Sequence, residues 1–121
     1  MRCRINPAIL AMGLGLLIAP AAHGAVHDGN WSVLIITEKG DCDAAYRYAV
    51  SVANGQVHYT GDASVEMSGT VSPQGAVRVS IRLRDKGADG TGRLSATSGS
   101  GTWHGAGPSA QCSGRWEAEK R

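Results

Sequence analysis

The sequence lacks the features that identify several large classes of protein. Its longest apolar run is about 11 residues, whereas a membrane-spanning helix needs about 20. After residue 25 no stretch shows the apolar periodicity of an amphipathic helix. The same region contains ten Lys or Arg and ten Asp or Glu residues, so it lacks the basic excess of nucleic-acid binders. We therefore expect an all-β protein with no nucleic-acid partner and no membrane span in its mature form.

The first 25 residues have the pattern of an export signal. Arg2 and Arg4 precede an apolar and glycine-containing segment, and small residues follow it. A positive start, a short apolar core and a small-residue cleavage site define a secretory signal peptide. We expect cleavage after Gly24 or, with a poorer fit, after Ala25. The alternative is a retained membrane anchor, for which the apolar segment is short. The expected mature protein, residues 26–121, is a single periplasmic or secreted domain.

Cysteine is scarce, and only Cys42 and Cys112 remain in the expected mature chain. Exported domains fold in oxidising compartments, so one disulfide is the default prediction. The alternative is a pair of free thiols in a metal or nucleophile role, but no CxxC or Cys/His spacing supports it. Closing a loop of about 70 residues stabilises a domain by about 4 kcal/mol in the chain-entropy treatment.

Short alternating segments separated by turn residues predict about eight antiparallel strands. The predicted strands are residues 30–37, 46–53, 56–60, 64–71, 76–84, 91–96, 102–106 and 112–119. Asn54 and Gly55 form a hairpin-turn dipeptide, and residues 85–90 and 98–101 are predicted as a polar loop and a tight turn. Short connections favour a meander. The disulfide would bring the first and last strands together, which favours a small closed or nearly closed barrel over a β-sandwich.

The predicted inward positions contain most of the large side chains. An eight-stranded barrel is wide enough either to be filled by side chains or to hold one small ligand. The inward aromatic residues are Trp31, Tyr46, Tyr48, Tyr59, Trp103 and Trp116. They favour a filled core, whereas inward glycines at positions 69, 92, 105 and 114 keep a pocket as the alternative.

One strand carries a row of arginines on its polar face. Arg78, Arg82 and Arg84 alternate with apolar residues, and Arg93 on the next strand extends the row. Such a face is the best candidate interaction surface, with an anionic glycan, a lipid head group or an acidic protein as its partner. The alternative is a solvated face whose arginines pair with carboxylates such as Glu66 across the sheet.

No motif predicts catalysis, a metal or a cofactor. His27, His58 and His104 have no metal-ligand spacing and are interpreted as scattered surface histidines. The loop at residues 85–90 lacks the pattern of a calcium site, so its carboxylates are interpreted as turn residues. There is no GxSxG motif, and nothing places a nucleophile beside a base. We expect a protein that is not an enzyme.

Several short motifs in a fixed order resemble a known group of proteins. They are DGNW (28–31), GDCD (40–43), YRY (46–48), GTGRLS (90–95), SGSGTW (98–103) and CSGRW (112–116). As a set they are similar to small exported alphaproteobacterial proteins, notably of rhizobial type, that have no assigned activity. Members are sometimes labelled exoproteins of haem use or adhesion. The resemblance implies a bacterial source, export and the cysteine pairing, and it implies no catalytic residues.

These observations predict an exported, non-enzymatic β domain that binds a protein or an envelope component. The contact would be made by the arginine face or by the mouth of the barrel. The alternative is a small inhibitor or accessory protein that docks on an exported enzyme through the loop at residues 85–90.

Overall fold

The computed structural model describes residues 25–108 and 110–121. The predicted export signal therefore lies outside the described residues, apart from Ala25. One turn of 3-10 helix, Ala25–His27, precedes eight strands. The strands are β1 (Gly29–Lys39), β2 (Ala45–Ala53), β3 (Gln56–Tyr59), β4 (Val65–Val71), β5 (Ala76–Leu83), β6 (Lys86–Leu94), β7 (Ser98–Ala106) and β8 (Gln111–Lys120). No helix among these residues is long and apolar enough to cross a membrane.

The strands form a closed antiparallel barrel in sequence order. Strand β1 closes it by pairing with both β2 and β8, for example through Ile35 opposite Tyr46 on one side and Trp116 on the other. Every strand has a neighbour on both sides, although over the described residues the β3–β4 junction contains a single residue pair. The predicted meander and barrel are confirmed, and the β-sandwich alternative is wrong.

Local sequence accounts for most of the hairpins. Asn54 and Gly55 have φ angles of 54° and 76°, as the predicted turn between β2 and β3 requires. In β5 the inward residues Val77, Val79 and Ile81 alternate with exposed arginines and line the barrel interior. Alternation of this kind fixes which face of a strand is buried, because successive side chains point to opposite sides of the sheet.

Two predictions about the second half of the chain are wrong. The predicted loop at residues 85–90 lies almost wholly in β6, and the predicted turn at residues 98–101 lies in β7. These strands have few apolar residues of their own, and the Trp116 indole of β8 occupies the space above several of their glycines. A Cβ added to Gly92 would lie 2.5 Å from Cζ2 of Trp116, and one on Gly101 would lie 2.6 Å from its Nε1.

The two ends of the barrel differ. We call the end at Gly29 and Leu94 the closed end, because the turn Ala25–His27 lies against it. We call the end at Lys39 and Leu83 the open end. The most buried core side chains, with exposures of 2–8 %, are Trp31, Ile35, Val50, Val52, Val57, Val71, Leu94, Trp103, Cys112, Trp116 and Ala118.

Candidate functional site

The closed end is sealed by a small network around Trp31, which is only 2 % exposed. Its indole Nε1 donates a hydrogen bond of 2.9 Å to the carbonyl of His27. The ammonium of Lys120 donates to the carbonyl of Val26 at 3.1 Å and lies 5.8 Å from the centre of the Trp31 ring. A cation at this distance is attracted to the face of an indole. The first and last strands therefore hold the 3-10 turn over this end of the barrel.

His27 is the one histidine whose position differs from the prediction. It is 4 % exposed, and its Nδ1 has no hydrogen-bond partner among the described residues. The sequence interpretation placed it on the surface because the short 3-10 turn carries no apolar pattern. His58 and His104 are exposed, as predicted. The described residues contain no group of three or more His, Cys, Asp or Glu side chains that could hold a metal ion.

The barrel interior is neither completely filled nor widely hollow. A cavity of about 90 Å³ lies between the aromatic and aliphatic side chains of the strands. The indole N–H groups of Trp103 and Trp116 donate to the carbonyls of Ile36 and Thr91, each at 3.1 Å. Those donors are satisfied by the barrel wall, so the lining that remains for a ligand is almost entirely apolar.

The inward glycines explain why the cavity is small. A Cβ on Gly114 would collide with the carbonyl of Ile36, which accepts the Trp103 hydrogen bond. Gly92 and Gly101 lie against the Trp116 indole. Most of the space at these glycines is therefore used to seat indoles or neighbouring backbone, which the sequence alone could not distinguish from an empty pocket.

Tyr46 and Tyr48 line the cavity, and Tyr59 packs against Tyr48. Tyr46 lines the cavity and is 36 % exposed, so the cavity reaches the surface there. The Tyr46 and Tyr48 rings, and the Tyr48 and Tyr59 rings, meet edge to face with centroids 5.6 Å and 5.4 Å apart. Such edge-to-face contacts are favourable for aromatic pairs. The three rings form a continuous apolar surface with phenolic hydroxyls at its margin.

Two of these phenols have a pKa above the ordinary tyrosine value. Burial raises the pKa of Tyr46, and the negative charge of Asp43 adds to the effect. Burial also raises the pKa of Tyr48, with a smaller contribution from the neighbouring phenols of Tyr46 and Tyr59. A neutral, partly buried tyrosine offers a ligand both a ring face and a hydrogen-bonding hydroxyl.

The barrel wall beside the tyrosines is loosely joined. Over the described residues, the register of β3 and β4 contains the single pair Gln56 opposite Thr70, near the closed end. By contrast, β4 and β5 pair along their whole length, from Val65 opposite Leu83 to Val71 opposite Val77. The two strands β3 and β4 are therefore the least tightly held part of the wall toward the open end.

The disulfide lies at the open end and confirms the predicted cysteine pair. Cys42, in the loop after β1, is bonded to Cys112 near the start of β8, with a Cα–Cα distance of 6.2 Å. Gly40 allows the loop to reach across. Its φ is +96°, and an added Cβ would lie 2.7 Å from the sulfur of Cys112. This cross-link fixes one side of the rim.

The four predicted face arginines separate into two pairs. Arg82 and Arg84 line a cleft at the open end, together with Lys39 and Lys86, which the sequence interpretation did not include. The basic residues of the cleft lie on different strands, so no single stretch of the sequence shows that they come together. The other two, Arg78 and Arg93, lie toward the closed end and outside this cleft.

The alternative, in which the face arginines pair with carboxylates across the sheet, has little support among the observed ion pairs. Glu66 lies directly opposite Arg82 in the β4–β5 register. However, both ion pairs found within residues 25–108 and 110–121 belong to Arg115, with Glu38 at 2.9 Å and with Glu117 at 3.7 Å. The guanidinium of Arg93 donates instead to the carbonyl of Gln74 at 3.3 Å.

No protein-family model matches this chain, and no curated protein or solved structure matches it either.

Proposed function

We propose that this protein is an exported, non-enzymatic binding module whose barrel holds the apolar part of a small ligand. The supporting observation is the apolar cavity of about 90 Å³ that reaches the surface at Tyr46. One end of the barrel is sealed by Trp31 and the 3-10 turn, so a ligand would enter and leave at the other end. A cavity closed on one side and lined by apolar side chains suits an apolar group, since burial removes that group from water.

The size of the cavity limits the ligand. An engineered apolar cavity of about 150 Å³ in another protein binds benzene, and this one is smaller. It suits a short aliphatic chain or a methyl-rich group, with the remainder of the ligand against the tyrosines of the mouth. Met67 lines the cavity, and its flexible thioether side chain can adjust to a longer chain.

Export and bacterial origin belong to the same proposal. The Cys42–Cys112 bond is compatible with an oxidising compartment, and the pattern of residues 1–25 is typical of a secretory signal. The resemblance to small exported alphaproteobacterial proteins stays a prediction. The alternative of an inhibitor or accessory protein that docks through residues 85–90 also stays a prediction, although most of that segment lies in β6 and is not a free loop.

A chain-length series of straight alcohols, from butanol to decanol, tests the cavity directly. Trp103 and Trp116 line it, so their fluorescence reports occupancy. We expect affinity to rise about fourfold for each added methylene, which corresponds to about 0.8 kcal/mol per buried CH₂. The increase should stop once the chain fills the cavity. Affinity that is independent of chain length would contradict the proposal.

A cavity-filling variant provides the matched control. Ala88 lines the cavity and faces inward opposite Ile81, whereas Ala49 is exposed on β2. We expect Ala88→Phe to abolish alcohol binding and Ala49→Phe to leave it unchanged. Equal effects of the two variants would place the alcohols on the outer surface and exclude the interior site.

A further inference from the structure

A cleft at the open end of the barrel has the form of a second site, separate from the interior cavity. It has a volume of about 860 Å³, within the range of about 300–1,000 Å³ that is usual for ligand sites. Its basic lining residues are Lys39, Arg82, Arg84 and Lys86, and its carboxylates are Asp85 and Asp89. The lining comes from the end of β1, the β5–β6 hairpin, the end of β7 and the start of β8.

The cleft concentrates positive charge in a chain whose residues 26–121 are balanced overall. Residues 26–121 have equal numbers of basic and acidic side chains, but four basic residues and two carboxylates line the cleft. Asp89, one of those carboxylates, accepts a hydrogen bond of 2.7 Å from Ser80. A concave surface with an excess of one charge focuses its field on a ligand of opposite charge.

One basic residue of the cleft, Arg84, also interacts electrostatically with the neighbouring carboxylate of Asp62. Two hydrogen bonds from Ser64 lower the pKa of Asp62, and the positive charge of Arg84 contributes a smaller part. Lys39, Arg82 and Lys86 have no ion-pair partner among the described residues. These three are therefore the cations that a ligand would meet first.

Three residues of the cleft lining have no side chain or only a methyl group. They are Gly87, Gly105 and Ala106. Nη1 of Arg82 would lie 3.4 Å from a Cβ placed on Gly87, so its guanidinium extends over that glycine. Glycine and alanine at these positions let a ligand approach the backbone closely.

The cations stand on different strands. Arg82 and Lys86 belong to the paired strands β5 and β6, while Lys39 lies opposite Ser113 where β1 meets β8. We propose that this cleft binds a small polyanion, a molecule with two or more phosphate, sulfate or carboxylate groups. A ligand with a single anionic group would reach only part of this set. The guanidinium of Arg82 is suited to bidentate contact with such a group.

Calorimetric titration of the full protein with four probes tests this proposal and separates two sources of the ligand. Tripolyphosphate represents a phosphorylated ligand, and trigalacturonate represents an acidic saccharide. Inorganic phosphate and galacturonate are their single-unit controls at equal ionic strength. We expect at least one polyanion to bind tenfold more tightly than its control, and the identity of that polyanion assigns the source. Binding of neither polyanion would overturn the proposal.

Two double variants that remove the same charge from the same strands distinguish binding in the cleft from attraction by the overall positive charge. Arg82→Gln/Lys86→Gln alters the cleft, and Arg78→Gln/Arg93→Gln alters β5 and β6 outside it. We expect the first to weaken polyanion binding at least tenfold and the second less than twofold. Equal weakening would show that net charge alone is responsible, which contradicts a site in the cleft.

A steric variant keeps the test valid if the first double variant fails to fold. Ala106→Trp fills the cleft from an exposed position without changing any charge. We expect it to abolish polyanion binding while the far-ultraviolet circular dichroism stays that of the native protein. Ala88→Phe, which fills the interior cavity, should leave polyanion binding intact. Retained binding in the folded Ala106→Trp protein would overturn the proposal.

Discussion

The two ends of this barrel are built from the same strands but are suited to different tasks. At the closed end Trp31 and His27 are 2 % and 4 % exposed, and backbone carbonyls of the 3-10 turn accept hydrogen bonds from both terminal strands. At the open end Tyr46 is 36 % exposed, and the wall between β3 and β4 is loosely joined. Dense burial stabilises one end, while the other leaves apolar and charged groups available for binding.

The contrast between the two ends shows how a small barrel can keep an accessible interior. A domain of about 100 residues has a net stability of only roughly 5–15 kcal/mol, so a wholly loose barrel would not fold. Here the sealed end and the Cys42–Cys112 bond supply stability, and the tyrosine-lined mouth can remain partly unfilled.

Paired alanine substitutions at the two ends give the largest expected effect. Trp31→Ala removes a fully buried indole, its hydrogen bond to His27 and its contact with Lys120. We expect a loss of about 5 kcal/mol in the free energy of unfolding, at the upper end of the range for such truncations. Tyr46→Ala should cost about 1 kcal/mol, because the ring is already partly in water. Urea unfolding followed by circular dichroism measures both, and similar losses would contradict the contrast between the ends.

Removal of the disulfide is expected to have the next largest effect. The bond joins residues separated by 70 positions, so we expect Cys42→Ser/Cys112→Ser to lose about 4 kcal/mol. The melting temperature should fall by roughly 20–30 °C for a domain of this size. Reduction of the unaltered protein should produce the same shift in a thermal melt. A change of only a few degrees would show that the open end does not depend on this cross-link.

The smallest expected effect concerns alkaline pH. Burial raises the pKa of Tyr46 and Tyr48 in the folded state, so folding favours their neutral form. The associated stability is present below about pH 10, the ordinary tyrosine pKa, and is lost as the pH rises through the raised values. The loss should be modest because both side chains are only partly buried.

Ultraviolet absorbance of tyrosinate measures this effect. We expect two tyrosines of the folded protein to ionise at higher pH than those of the urea-unfolded chain. Tyr48→Phe should remove one of the two delayed steps. Ionisation of the folded protein at the same pH as the unfolded chain would contradict a buried mouth lined by neutral phenols.

Much of the fold followed from local patterns. The alternation in β5, the Asn54–Gly55 turn and the spacing of the two cysteines predicted a closed meander with one disulfide, and the structure confirms each of them. Strands β6 and β7 were not predicted in full. Their glycines carry no strand signal, and what holds them is pairing with neighbours and burial beneath Trp116.

The candidate sites were less predictable than the fold. The sequence placed Arg78, Arg82, Arg84 and Arg93 on one face, but it could not show which of them surround a cleft. Lys39 lines the same cleft as Arg82 only because β1 pairs with β8 when the barrel closes. A pattern within one strand reports the direction of its side chains, whereas a cleft depends on the register of several strands.

The sequence by itself determined the fold class, the inward and outward faces of the regular strands and the cysteine pair. These depend on periodicity, turn chemistry and composition, which are local properties. Only the tertiary structure shows that His27 is buried and that the Trp116 indole occupies the space over glycines of β6 and β7. The small cavity and the basic cleft are likewise visible only in the folded barrel. Those outcomes depend on which side chains from distant segments fill a shared volume, and that is settled only when the barrel closes.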